Sequence, residues 1–190
     1  MTEEIVYIAA GSARSILSGL ENTVPGTRVV IVTATSSTEI DTGDPDLEKL
    51  IERVDQSSIP LILVIEASPS AIPIELIRTF HLCIAASGVV IEREEAVLTA
   101  EEAANEGLIN SVCGIGELYG EARQTAENIS RLAPRALEAC LNSVNRGAKG
   151  DLDEGLAIEL ELFCKLFSTS DMREGTDAFF TKRPPKFTGR

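Results

Sequence analysis

The chain has 190 residues, with 17 Lys and Arg against 30 Asp and Glu, and carries a formal charge of −13. Hydrophobic residues make up 44% and charged residues 25%, which is enough apolar material for a buried core in one domain of ordinary size. So acidic a balance repels phosphate backbones and anionic headgroups, and this excludes nucleic acid and membrane as expected partners.

The N-terminus, Met1-Thr2-Glu3-Glu4, opens on acids where a secretion signal needs positive charge. No apolar run approaches the ~18 to 20 residues of a membrane span, so the expected location is the cytoplasm. Ile5 to Ala9, Val29 to Thr33, Leu61 to Ile65 and Leu82 to Ala85 are short, nearly all-apolar runs rich in β-branched side chains. Such runs suit strands covered on both faces. Between the second and third, Asp44 and Pro45 signal a helix start, and Leu47, Leu50, Ile51 and Val54 follow at helical spacing. Strand, helix and strand in that order predict a parallel crossover.

The second half reads as helices. Thr99 and Glu102 form a capping box, Gly107 follows as a left-handed stop, and Leu108 is placed to pack back on the short helix they bracket. Further helices are expected from about Glu117 to Leu132, from Pro134 to Arg146 with Gly147 as the stop, from Asp151 to Phe167, and from Ser170 to before Pro184-Pro185. In the Asp151 helix, Leu152, Leu156, Leu160, Phe163 and Phe167 make one face apolar, and Ile158, Leu162 and Leu166 the other. A helix apolar on two faces predicts subunit contact in a domain this small.

The chemistry-bearing residues are few. Cys83, Cys113, Cys140 and Cys164 form no CxxC pair, and three sit in apolar segments, so they read as reduced thiols packed as small hydrophobes. With His81 as the one histidine, no metal site is expected. His81 opens an apolar strand, where a structural role outweighs a triad role. Gly114, Gly116 and Gly120 miss the dinucleotide fingerprint, whose third glycine falls on Tyr119. Two loops remain. Thr33 to Gly43 is Ser/Thr-rich and runs from a strand end toward Asp44, while Ser68-Pro69-Ser70-Ala71-Ile72-Pro73-Ile74-Glu75 leads into another helix start. Paired amides at two helix starts can hold one oxyanion, whereas Glu75 there can also serve only the helix dipole.

The stretch from Leu98 to Arg190 resembles the C-terminal half of the crotonase (enoyl-CoA hydratase/isomerase) superfamily. The resemblance rests on Leu98-Thr99-Ala100-Glu101-Glu102-Ala103, Glu106-Gly107-Leu108-Ile109-Asn110, Arg131-Leu132-Ala133-Pro134-Arg135-Ala136 and Ser170-Asp171-Met172-Arg173-Glu174-Gly175. The tail from Phe179 to Phe187 completes it. It implies an α/β, crotonase-like (ClpP/crotonase) fold, a spiral of strand-strand-helix units over residues 1–98. A C-terminal helical trimerisation region over 99–190 would complete the CoA site within one structural unit. Counting from Thr33, Asp41-Thr42-Gly43-Asp44 falls on the family's Ala-Gly-Ala-Asp, so Gly43 inherits one oxyanion amide. Ala71-Ile72-Pro73 falls on the family's Gly-Gly-Gly, so Ile72 inherits the other, with a side chain expected to crowd the thioester. Glu75 matches a catalytic glutamate. The segment with the second glutamate is deleted between Val90-Ile91 and Glu95-Ala96-Val97-Leu98, leaving Glu92 or Glu94 nearest the vacancy.

The resemblance further implies an acyl-CoA or acyl-pantetheine thioester as ligand, with coenzyme A as part of the substrate, no tightly bound cofactor, and the CoA phosphates near Lys182, Arg183 and Lys186. A homotrimer, a dimer of trimers or an assembly with a paralogous subunit is the expected state. Lyase or isomerase chemistry in fatty acid metabolism and a non-catalytic role as subunit or interaction module both remain open.

Overall fold

The computed structural model describes residues 4–69, 71–93 and 96–190. Four apolar runs become the parallel strands β1 (Ile5–Ala10), β2 (Val29–Ala34), β3 (Leu61–Ile65) and β4 (Leu82–Ala86). A short β7 (Ser111–Cys113) extends the sheet in the order β1-β2-β3-β4-β7. The strands run in register, Ile5 beside Val29, Val30 beside Leu61, Ile62 beside Leu82 and Ile84 beside Ser111. All five residues of β3 are buried. Complete burial at successive positions means that both faces of the sheet are covered, which explains apolar runs without alternation.

The cover comes from α1 (Ala13–Glu21), α2 (Leu47–Asp55) and α3 (Ile74–Thr79), which pack in a row, and from α5 (Leu118–Ser130), which crosses β1 to β4. Ile16, Leu50, Leu76 and Leu118 are among the fully buried side chains these helices bring to the core. Each contributes ~1.5 to 3 kcal/mol from removal of apolar surface from water.

Several expectations shift in detail. Helix α2 begins at Leu47 with Asp46 as its N-cap, not at Asp44 and Pro45. Asp44 instead accepts from Asp46 N–H at 2.9 Å in a turn. The Asp46 carboxylate is taken by Arg14 Nε at 2.8 Å and Lys49 at 3.4 Å. That link fixes α2 against α1. The Thr99 and Glu102 capping box forms as read at the start of α4 (Ala100–Asn105), and Gly107 has φ +76°. β5 (Val90–Arg93) and β6 (Ala96–Thr99) pair as an antiparallel hairpin with Arg93 opposite Ala96.

Beyond α5 stand α6 (Pro134–Gly147), α7 (Leu152–Leu166) and α8 (Ser170–Thr181). Gly147 is inside α6 rather than its stop. A Cβ on Gly147 would come within 3.4 Å of the Gly155 Cα on α7, so the glycine serves a close helix crossing. Neither α6 nor α7 has a buried residue. The second half therefore divides: β7 and α5 join the sheet layers, and only α6 to α8 stand off them.

The same division corrects the reading of the cysteines. Cys83 on β4 is buried, and burial pushes its thiol up to about 12. Cys113 is half-buried and also raised, first by burial and then by Glu121 and Glu117. Cys140 on α6 and Cys164 on α7 are exposed, because one chain leaves those apolar faces uncovered.

Candidate functional site

In a parallel sheet, ligands meet loops at the carboxyl ends of the strands. Here the loops after β2 and β3 lie side by side across those ends. Thr38 is fully buried, donates to Ala10 O at the end of β1, and accepts from Thr35 N–H at 2.9 Å. Glu39 N–H donates to Gly11 O at 3.0 Å. A parallel bridge then joins Glu39 to Ala71, with Ile40 N–H donating to Ala71 O at 2.9 Å and Ala71 N–H to Thr38 O at 3.3 Å. The Ser/Thr-rich composition of the first loop thus has a local cause, since short hydroxyl side chains satisfy its backbone groups without a helix or strand.

Gly43 is exposed beyond the bridge, and its N–H donates to Asp41 Oδ1 at 2.7 Å. Ile72 follows the bridge on the other loop. Its side chain is 9% exposed and belongs to the hydrophobic core, so its bulk is directed inward, contrary to the expected crowding of a thioester. Pro73 occupies the N-cap of α3 with no side-chain cap bond, and Glu75 stands exposed in the first turn. Glu92 is exposed on β5 opposite Val97, and Glu94 lies outside the described residues.

The basic tail belongs to a different place. Lys182 caps α8 in the left-handed region with φ +53°. Arg183 binds Glu174 at 2.6 and 2.9 Å and Asp177 at 2.6 Å. That guanidinium, with a bond from Lys186 N–H at 2.7 Å, holds the Glu174 carboxyl down at about 2. Arg28, just before β2, donates to Phe187 O at 3.0 Å. Phe187 is therefore at the start of β2, whereas Gly43 follows its end, and a six-residue strand spans ~20 Å. Within one chain Lys186 and Gly43 do not converge.

One pair at the strand ends escaped sequence reasoning. Tyr119 Oη donates to Glu66 Oε2 at 2.9 Å, Glu66 being the first residue after β3. Burial, and then Glu66, raises the Tyr119 phenol above its usual value. The partners lie 53 positions apart, a separation no local pattern announces. Among the described residues, no group of His, Cys, Asp and Glu is arranged to hold a metal ion, and no helix is long and apolar enough to cross a membrane.

A parallel sheet with paired loops at its carboxyl ends and a projecting helical region places the chain with the crotonase-fold proteins. The enoyl-CoA hydratase of Bacillus anthracis superposes with a TM-score of 0.81 at 21% identity, over 98% of this chain and 96% of that one. An enoyl-CoA hydratase structure from Geobacillus kaustophilus gives 0.83 at 18%, over 99% and 95%. The enoyl-CoA hydratase/isomerase family profile matches residues 92–190, and this chain belongs to that family.

A probable enoyl-CoA hydratase of Mycobacterium tuberculosis is 41% identical over 93 residues, which is 49% of this chain and 36% of the relative. The 2,3-dehydroadipyl-CoA hydratase of Escherichia coli is 36% identical over 105 residues, 55% of this chain and 40% of the relative. The chain thus spans little more than a third of the length of such curated relatives.

Proposed function

We propose that this chain is an acyl-CoA thioester-binding member of the enoyl-CoA hydratase/isomerase family that works as an oligomer and has lost efficient hydration. The observation that carries this reading is the Glu39 to Ala71 bridge, which sets the loops bearing Gly43, Ile72 and Glu75 beside one another at the carboxyl ends of the sheet. In that arrangement the Ile72 and Gly43 amides would receive the thioester oxygen as charge develops on it. Glu75 would take a proton from the carbon next to the thioester and return it. One carboxylate suffices for shifting a double bond or exchanging that proton. Hydration needs a second group to activate water, and by the family resemblance the segment that carries one is deleted between Val90-Ile91 and Glu95.

The second reading, a non-catalytic subunit, is favoured by the Asp41 carboxylate on the Gly43 amide. The readings separate by experiment. Hydration of crotonyl-CoA is expected to fall ~10² to 10⁴ below that of an enzyme with both acid/base groups. Exchange of the α-hydrogens of butyryl-CoA in D₂O is expected to occur and to disappear in Glu75→Gln, with fold and assembly unchanged. Exchange that survives Glu75→Gln sinks the role of Glu75, and no exchange by the unaltered chain supports the subunit reading. Rapid hydration would show that another carboxylate, with Glu92 and Glu94 the nearest in sequence, fills the vacancy.

Assembly is part of the proposal. Leu160 is 62% exposed, Phe163 55% and Phe179 79%, and an open apolar cavity of about 640 Å³ runs between α7, α8 and the tail, lined by Phe163, Phe167, Met172 and Phe187. A trimer or a dimer of trimers covers these faces. The basic tail would then reach a thioester site only from a neighbouring copy.

A further inference from the structure

The Gly43 amide is engaged by the chain's own anion, and the backbone on either side is fixed. Ile40, three residues before it, is fully buried and bonded to Ala71 O. After it, Asp44 N–H donates to Asp41 O at 3.1 Å and Asp46 N–H to Asp44 Oδ1 at 2.9 Å. The amide direction is therefore set by the loop, while the Asp41 side chain that meets it is exposed. A carboxylate oxygen at 2.7 Å is the geometry of a charge-assisted bond. It puts negative charge where an enolate oxygen would otherwise accept the same N–H.

We propose that Asp41 is an autoinhibitory placeholder of the oxyanion site: its carboxylate occupies the Gly43 N–H in the resting state and must swing out before an acyl thioester can use that donor. This rests on the acyl-thioester reading above. A ligand then gains the Gly43 bond only by breaking an existing one. The carboxylate also repels an enolate more than a neutral carbonyl, so the placeholder acts most strongly against ligands that carry charge on the thioester side. The site thereby favours neutral acyl thioesters over enolised ones.

The test uses the full chain and two probes, acetoacetyl-CoA, which enolises readily, and butyryl-CoA, which does not. Asp41→Ala removes the block. Asp41→Asn keeps an oxygen for the turn and loses the charge. Affinity for acetoacetyl-CoA is expected to rise roughly ten- to hundredfold in Asp41→Ala, since bonds to charged groups are the strong ones. It should rise less in Asp41→Asn, and butyryl-CoA should gain less than acetoacetyl-CoA in both. In the unliganded protein, the Gly43 amide resonance should move upfield and lose exchange protection in Asp41→Ala. Equal affinities in all three proteins, with the Gly43 resonance changed as expected, would overturn the placeholder and leave thioester binding standing. If none of the three binds either thioester, the acyl-thioester reading fails and takes the proposal with it. An unchanged Gly43 resonance would show that the contact is absent in solution, which also overturns it.

Discussion

The sheet with α1 to α5 and the trio α6 to α8 are built on opposite terms. In the first, Ile31, Val32, Leu63 and Ile65 are all but inaccessible, and helices cover both faces. In the second, α6 and α7 bury nothing fully, although α7 is the most apolar of the helices projecting from the core. Family likeness runs the other way. The profile match begins at residue 92 and extends to the end, so it takes in the whole trio together with β6, α4, β7 and α5, while β1 to β4 and α1 to α3 fall outside it. A core needs only apolar residues of suitable size at suitable period, and many sequences supply that.

That contrast can be broken most sharply by placing one charge in each region. Leu63→Asp puts an unpaired carboxylate in the middle of β3, at a cost of several kcal/mol, comparable with the whole stability of a domain. The expected outcome is an insoluble or unfolded chain by circular dichroism. Leu160→Asp touches a side chain that one copy leaves 62% exposed. It should leave the secondary structure intact and shift light scattering from an oligomer to monomers or irregular aggregates. A well-behaved monomer from the unaltered chain at micromolar concentration would remove the assembly argument.

A smaller effect tests how the projecting trio is tied down. Asp171, at the start of α8, is buried and accepts from Thr188 N–H at 2.7 Å and Gly189 N–H at 2.8 Å. The end of the chain also returns to this helix, with Ser170 N–H donating to Arg190 O at 2.7 Å. Asp171→Ala is expected to cost about 1.5 to 3 kcal/mol of tail attachment. It should raise the exchange of the Thr188 and Gly189 amides without altering that of β2 or β3. Equal loosening of the strands would show that the two regions unfold as one unit.

What the sequence revealed follows the same divide. Leu61 to Ile65 was legible to the residue because a run buried on both faces has sharp polar edges. The Thr99 and Glu102 box was legible because both partners lie within one turn. Asp44 and Pro45 misled, since they form a turn before α2 and the N-cap Asp46 has its carboxylate bound by Arg14, thirty-two positions away. Gly147 misled for a similar reason, its partner being Gly155 on another helix. At the site, the position of Glu75 in the first turn of α3 was readable from the loop that precedes it. The Asp41 to Gly43 contact was within reach too, because an aspartate two residues before an amide is a common turn former. The inward direction of Ile72 and the Glu66 to Tyr119 pair depend on packing and were not.

The smallest effect concerns the histidine that holds the floor of the core. His81 Nδ1 accepts from Leu61 N–H at 2.9 Å at the start of β3, so the ring is neutral there with its proton on Nε2. Among the described residues, that buried Nε2 has no hydrogen-bond partner. Burial lowers the His81 value below the ordinary 6.5, and the charge of Asp55 opposes the shift only in part. Asp55 itself is held at 2.6 Å by Lys149 from beyond α6. A group lowered in the folded state binds its proton more readily when unfolded. Its contribution is therefore complete above about 6.5 and declines as the pH falls through that value toward the folded one. Protonation would also set a second N–H against Leu61 N–H, and the β3 end would open first. The thermal midpoint should drop between pH 7.5 and pH 5.5, and His81→Asn, whose amide oxygen can accept from Leu61 without titrating, should flatten that dependence. A midpoint that falls equally in both proteins would show that a group other than His81 sets the acid sensitivity in this range, and not Glu174, whose contribution is lost only as the pH falls from about 4.5 toward about 2.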